Sequence, residues 1–193
     1  MLKIISKAFI RSLELVLKIL PIDRKTVLFN SFHGQYNDNP KYISQGIHKL
    51  EPKIKIVWVI SDKCADQESI PPYIQKVDRN SVKYAYRKCT AAVLVDNSFG
   101  WHYFFRNRFY YRFFLRKKQI NISTWHGTPL KKLGSDEHTL PESFKGEFFT
   151  SSNLIIAGSE YSKEKFRNSL PPHVEIMLTG TPRVDLLIDS DKS

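Results

Sequence analysis

The chain has 193 residues and a mass of 22.5 kDa, room for one full domain but not for two generous ones. With 41% apolar and 25% charged residues the composition is globular, which excludes a disordered or collagen-like polypeptide. Two cysteines, Cys64 and Cys89, exclude a disulfide scaffold and a four-cysteine zinc site, and their scarcity fits a reducing, cytosolic compartment. Thirty Lys and Arg against nineteen acids give a net charge of +11 and a pI near 9.6, a surplus that favours a polyanionic partner: nucleic acid, anionic lipid or a phosphorylated substrate.

Residues 1–21 open the chain with a Leu- and Ile-rich segment. Lys3, Lys7, Arg11, Glu14 and Lys18 recur at helical spacing and fall on one stripe, with Leu2, Ile5, Phe9, Leu13, Val16 and Leu20 elsewhere around the helix. The charges exclude a spanning helix, and the missing small-residue cleavage site excludes a secretory signal. Two readings remain: a basic amphipathic helix in the plane of an anionic membrane surface, or an ordinary surface helix docked on the domain. Pro21 is expected to end it.

From Lys25 onward, apolar β-rich runs alternate with helical patterns. Strands are expected at Thr26–Asn30, Ile54–Ile60, Tyr73–Val77, Ala91–Val95, Ile120–Thr124, Leu154–Ala157 and Val174–Leu178. Helices are expected at Pro40–Leu50 with Asn39 as cap, at Ser81–Lys88 and at Tyr161–Ser169. Short strands that are apolar on both faces and separated by helices predict β-α-β units, hence an α/β fold with a parallel sheet.

One stretch breaks this alternation. Trp101–Lys118 carries nine aromatic and six Lys or Arg residues and no acid. It can be a core-facing helix with snorkelling arginines, a stacking surface for single-stranded nucleic acid, or a segment buried among lipid headgroups. The aromatic density favours an interfacial or ligand-facing role over pure core.

In parallel α/β sheets, ligands sit beyond the carboxyl ends of the strands. Those positions hold Ser31, His33 and Gly34 with Asp38 and Asn39; Asp96, Asn97 and Ser98; Trp125, His126, Gly127 and Thr128; Gly158, Ser159 and Glu160; and Gly180 with Thr181. Two corners share a grammar: Gly127-Thr128-Pro129 followed by Lys131 and Lys132, and Gly180-Thr181-Pro182 followed by Arg183. In each, Gly admits a ligand, Thr caps a helix and Pro occupies its first turn, so a basic residue there makes a phosphate receptor. His126, between a shielding Trp125 and an accommodating Gly127, is the candidate general base, since an imidazole titrates at about 6.5. A lone histidine is more often structural than catalytic, and the residues by themselves leave both roles open. His33 follows the same logic more weakly. No His, Cys or carboxylate group has metal-ligand spacing, and P-loop, Rossmann glycine and nucleophile-elbow patterns are absent from the sequence.

The segment Thr124-Trp125-His126-Gly127-Thr128-Pro129-Leu130-Lys131-Lys132-Leu133-Gly134 strongly resembles the hallmark of the CDP-glycerol glycerophosphotransferases, the teichoic acid primases and polymerases. Ser31-Phe32-His33-Gly34 with Asp38-Asn39-Pro40, and Gly180-Thr181-Pro182-Arg183-Val184-Asp185, match in order and approximate spacing, so the resemblance covers roughly residues 25 to 188. It implies a GT-B-like transferase with a Rossmann-like first domain, bound peripherally to the inner face of the membrane. The enzyme would need no cofactor and would move glycerol phosphate from CDP-glycerol, or ribitol phosphate from CDP-ribitol, onto a lipid-linked acceptor. The family's motif histidine, a proposed general base, maps to His126. His33, Gly34, Asp38, Gly127, Thr128, Gly180 and Thr181 fall in the matching motifs as substrate-binding candidates. Lys131, Lys132 and Arg183, with the two helix N-termini, would neutralise phosphate charge.

On this reading residues 1–21 are a membrane-association helix and residues 22–193 the acceptor-side domain. The donor-binding domain is expected to be missing, so the polypeptide alone is expected to be inactive or weak, with a separate donor domain as a partner. The alternative is a non-catalytic module that binds membranes or anionic polymers. Nucleic acid is set aside, because no helix-turn-helix, zinc-finger or RNP pattern supports it.

Overall fold

The computed structural model of the chain describes residues 12–32, 34–64, 67–98, 116, 118–133 and 152–190. Seven strands form a single sheet: β1 (Asp23–Asn30), β2 (Lys55–Ile60), β3 (Gln75–Asp78), β4 (Ala91–Asp96), β5 (Ile120–Ser123), β6 (Leu154–Ala157) and β7 (Glu175–Leu178). Every paired neighbour is parallel, in the order β3-β2-β1-β4-β5-β6-β7. The chain thus starts at the centre, winds outward through β2 and β3, and returns to build the other half from β4. That reversal between β1 and β4 opens a crevice at their carboxyl ends, the place where open α/β sheets bind ligands. The predicted α/β class with a parallel Rossmann-like sheet is the one observed.

The two-sided apolar runs explain the layering. Val27, Phe29, Ile56, Trp58 and Ile60 face one side, where Ile43 and Ile47 of helix α2 (Asp38–Leu50) cover them. The intervening Leu28, Val57 and Val59 face the other side, against Tyr84 of α3 (Val82–Thr90). Phe29 stacks on Trp58 at 5.3 Å, and the Trp58 Nε1 proton goes to the Gln35 carbonyl at 3.0 Å, so the bulkiest core residue leaves no polar atom stranded. Each such side chain contributes about 1.5–3 kcal/mol through its removal from water. A third cluster, Trp125, Ile155, Ala157, Phe166 and Val174, joins β6 to α4 (Glu160–Ser169). Ser81 caps α3 and Ser159 caps α4, each accepting a backbone N–H three residues on.

The described part of the first helix, α1, covers residues 12–17 and stops before Pro21 is reached. Its orientation differs from a helix that shows its charges to solvent. Glu14 is buried against Lys88 of α3, with carboxylate–ammonium distances of 3.1 and 3.2 Å, while Leu15, Val16 and Ile19 are exposed. The charged stripe therefore contains the docking contact, and apolar side chains point away from the domain. Among the described residues no helix is long and apolar enough to cross a membrane. Residues 1–11, where the rest of the amphipathic helix is expected, the aromatic-basic stretch apart from Arg116 and Lys118, and His33 lie outside the described residues. Arg116 ties the last turn of α3 to the segment after α1, donating to the carbonyls of Cys89 (2.9 Å) and Leu20 (2.7 Å).

Candidate active site

The central strands end in register: Asn30 of β1 lies opposite Asp96 of β4, and Asp96 opposite Ser123 of β5. The Asp96 carboxylate accepts from Asn30 Nδ2 at 2.7 Å and from the Ser98 hydroxyl at 2.6 Å, and its carbonyl accepts from the Thr124 amide at 2.8 Å. Three strand ends are thus pinned by one buried aspartate.

The next residue, Asn97, is completely buried and joins three loops. Its Oδ1 accepts from the Phe32 amide at 3.1 Å, its Nδ2 donates to Asp38 at 2.6 Å, and its carbonyl oxygen lies 2.7 Å from His126 Nδ1. A carbonyl can only accept, so His126 Nδ1 carries the proton, and in the neutral ring the lone pair resides on Nε2. The imidazole stacks on Trp125 at 4.3 Å and meets the Phe32 ring edge-on at 5.7 Å. Trp125, which shields one face of the ring, is itself buried and packs edge-to-face on Phe166 of α4. Phe32, Asp38 and Trp125 all adopt left-handed backbone, with φ of 36°, 56° and 53°.

Asp38 and Asn39 face inward, and α2 begins at Asp38 with Asn37 in the cap position rather than Asn39. Asn39 is instead a clamp. Its Nδ2 donates to the Thr124 carbonyl at 3.2 Å and lies 3.4 Å from that of Trp125, while its Oδ1 accepts the Arg183 amide at 3.2 Å. Asp38 takes the Arg183 guanidinium at 2.6 Å on one oxygen and Asn97 on the other. The corners after β1, β4, β5 and β7, far apart in sequence, are thereby one hydrogen-bonded unit.

Beside it lies a cavity of about 200 Å³, walled by Asn39, Trp125, Gly127, Thr128, Gly158, Ser159, Ser162, Gly180, Thr181 and Arg183 among others. Trp125 and Gly127, which bracket His126, both line it. A Cβ on Gly127 would meet nothing within 4 Å, so that glycine borders open space. At Gly158 a Cβ would collide with Thr181 Oγ1, so the corner after β6 needs glycine to let the corner after β7 approach.

The structure thus brings together His126, Gly127, Thr128, Gly180, Thr181 and Arg183, with Asp38 and Asn39 in support. Gly34 stands apart from the cavity: its φ is 106°, a Cβ would fall 2.6 Å from the Ser61 nitrogen, and its carbonyl accepts the Ser61 amide at 3.0 Å, so it joins the β1 loop to β2. Lys131 and Lys132 line a different cleft. The two Gly-Thr-Pro corners also differ. After Thr181 a 3-10 turn at Pro182–Val184 leads into the short helix α5 (Asp185–Ser190), with Thr181 in the cap position but its hydroxyl not bonded as a cap. After Thr128 no helix begins within the described residues 128–133; a tight turn forms instead, with the Leu130 amide on the Thr128 carbonyl. Among the described residues no group of three His, Cys, Asp or Glu side chains is placed to hold a metal ion. Asn97, Asn39, Ser159 and Ser162 carry more of the geometry than sequence reasoning assigns them. Their one signal in the sequence is a position at strand ends and helix starts, which locates a residue without naming its partner.

The chain is similar to several proteins of teichoic acid synthesis. A teichoic acid poly(glycerol phosphate) polymerase of Staphylococcus epidermidis is 34% identical over 178 residues, which cover 86% of this chain and 23% of the relative. The polymerase of the same description from Bacillus subtilis is 28% identical over 96% of this chain and 25% of its own length. A teichoic acid glycerol-phosphate transferase of Staphylococcus aureus is 28% identical, over 96% of this chain and 47% of its own length. Among solved structures, the wall teichoic acid polymerase TagF superposes with a TM-score of 0.72 at 28% identity, over 91% of this chain and 44% of that one. The chain therefore spans from 23% to 47% of the length of these relatives. The sequence profile described as CDP-Glycerol:Poly(glycerophosphate) glycerophosphotransferase matches residues 12–193, and it is to this family that the chain belongs.

Proposed function

We propose that the chain forms the acceptor-activating part of a transferase that moves glycerol phosphate, or another polyol phosphate, from a CDP-activated donor to a lipid-linked acceptor. In this reaction the acceptor hydroxyl oxygen bonds to the donor's β-phosphorus, the phosphoanhydride bond breaks and CMP leaves. His126 Nε2 takes the hydroxyl proton as the oxygen attacks. The observation that carries this reading is the His126 Nδ1–Asn97 carbonyl bond at 2.7 Å, which fixes the tautomer a general base requires. Arg183 and the N-terminus of α4, both at the cavity wall, supply positive potential for phosphate oxygens. The donor nucleotide is held by a part of the enzyme supplied separately from these residues. Attachment is peripheral, at the inner face of the membrane, a reading supported by the exposed Leu15, Val16 and Ile19 of α1 and by the net charge of +11.

The test combines this chain with a donor-binding part from a relative and follows label passing from CDP-glycerol to a lipid-linked acceptor. His126→Ala is expected to lower kcat by about 10²- to 10⁴-fold while donor binding persists. Turnover within a few-fold of the parent overturns the assignment of the base. If His33→Ala then abolishes transfer, the role passes to His33.

A further inference from the structure

The second cleft, of about 300 Å³, lies between residues 129–133 and helix α4. Tyr161, Lys165 and Ser169 recur every four residues and so form one stripe of α4, and this stripe is the cleft's helical wall. Lys131 and Lys132 form the opposite wall, with Leu133 packed on the core cluster of Trp125 and Phe166. The Lys165 ammonium sits over the Tyr161 ring at 5.3 Å. Glu160, on the same helix, is turned to Lys163 at 3.4 Å, and no acidic side chain among the described residues lines the cleft. Three cationic groups and an aromatic face around a recess are a receptor for a flexible, regularly charged anion. The cleft is continuous in sequence with the His126 loop but separate from the cavity beside it.

We infer that this cleft is a second anion subsite, which grips a phosphodiester of the acceptor chain one or more repeats behind the reacting hydroxyl. The inference rests on the transferase reading and extends it, since holding the chain at a second point keeps its end near His126 between transfers. Phosphodiesters also occur in lipid headgroups. A recess admits a single polymer strand, whereas a flat bilayer surface does not enter it, so the occupant is the acceptor polymer.

Binding of a lipid-free, synthetic glycerol-phosphate decamer to the full chain at low salt tests this. Lys131→Gln/Lys132→Gln/Lys165→Gln is expected to weaken binding by about 10- to 100-fold, three contacts with individually modest contributions. A control with the same charge loss elsewhere, Lys49→Gln/Lys53→Gln/Lys83→Gln, is expected to bind within about twofold of the parent. Equal weakening by both variants overturns the subsite in favour of diffuse attraction, and undiminished binding by the cleft variant overturns it outright. If the cleft variant loses binding to phosphatidylglycerol vesicles but keeps the decamer, the cleft is a headgroup site and the proposal fails. A parent chain that binds no decamer at all overturns the subsite, whereas the transferase reading stands or falls separately on the label-transfer assay with His126→Ala.

Discussion

The imidazole of His126 and the peptide carbonyl of Asn97 are joined at 2.7 Å across two adjacent loops, although 29 residues separate them. The Asn97 side chain holds that carbonyl in place through Phe32 and Asp38. Asn97→Ala keeps the carbonyl but strands the Phe32 amide and one Asp38 oxygen. We expect a stability loss of about 1–3 kcal/mol and a fall in kcat that exceeds the change in donor KM. Thermal unfolding and steady-state transfer kinetics check both. An unchanged kcat would show that the imidazole holds its orientation without this support.

Gly158 and Thr181 form a tight joint between two corners of the cavity. Gly158→Ala places a methyl against the Thr181 hydroxyl, and the threonine must turn or the corners must part, at a cost of about 1 kcal/mol. Thr181→Ala removes the clash, because the remaining Cβ lies at an ordinary contact distance of 3.8 Å. The double variant should therefore recover most of the unfolding midpoint lost in the single one, a coupling that a double-mutant cycle reads directly.

Glu14 and Lys88 make a buried ion pair between α1 and α3. Removing one partner leaves the other charge uncompensated, so Glu14→Gln is expected to cost about 3–5 kcal/mol, and Glu14→Leu/Lys88→Met much less. Denaturant midpoints of the three proteins decide this. Near-identical midpoints for Glu14→Gln and the parent would mean that α1 is not held by this pair.

The same cluster sets an alkaline limit. Burial, reinforced by the Glu14 carboxylate, pushes the Cys89 thiol up to about 11. For Lys88, burial pulls downward, but Tyr84 and Glu14 outweigh it and the ammonium ends above its usual value. Tyr84 is raised by burial. A group whose folded pKa exceeds its unfolded one stabilises the fold fully below the unfolded value, and that contribution is lost as pH rises through the folded one. The unfolded thiol titrates at about 8.5. The unfolding midpoint should accordingly fall between pH 8.5 and 11, and Cys89→Ala should show a shallower fall over that interval.

The fold is readable in the sequence because its physical causes are local. Runs such as Ile54–Ile60, apolar on both faces, fit only a strand covered from both sides, and the observed strand differs by one residue at its start. The helix at Tyr161–Ser169 likewise starts one residue earlier, at Glu160. The site is legible only as a row of polar residues along one edge. Asn39 before Pro40 has the form of a helix cap, yet its amide is drawn away by carbonyls 85 and 86 residues distant, and no local pattern encodes that. The repeated Gly-Thr-Pro grammar suggests two equivalent phosphate receptors. Their downstream segments separate them: a 3-10 turn packed against α2 after Thr181, a tight turn and an irregular segment that carries its lysines to another cleft after Thr128. Arg183 stands at the cavity wall, but its bond to Asp38 depends on a residue 145 positions away.

Phe32, Asp38 and Trp125 hold their backbones in a region that residues with side chains avoid, at about 1–2 kcal/mol each relative to relaxed conformations. Phe32 and Trp125 pack on the His126 ring, and Asp38 holds the Asn97 side chain, so the molecule concentrates its conformational tension where the imidazole is seated. Glycine at the half-exposed Phe32 relieves that tension with the least loss of packing, whereas at Trp125 or Asp38 it would cost more in lost core and hydrogen bonds than it recovers. A variant selected only for heat resistance would therefore change Phe32 first and loosen the seat of the imidazole.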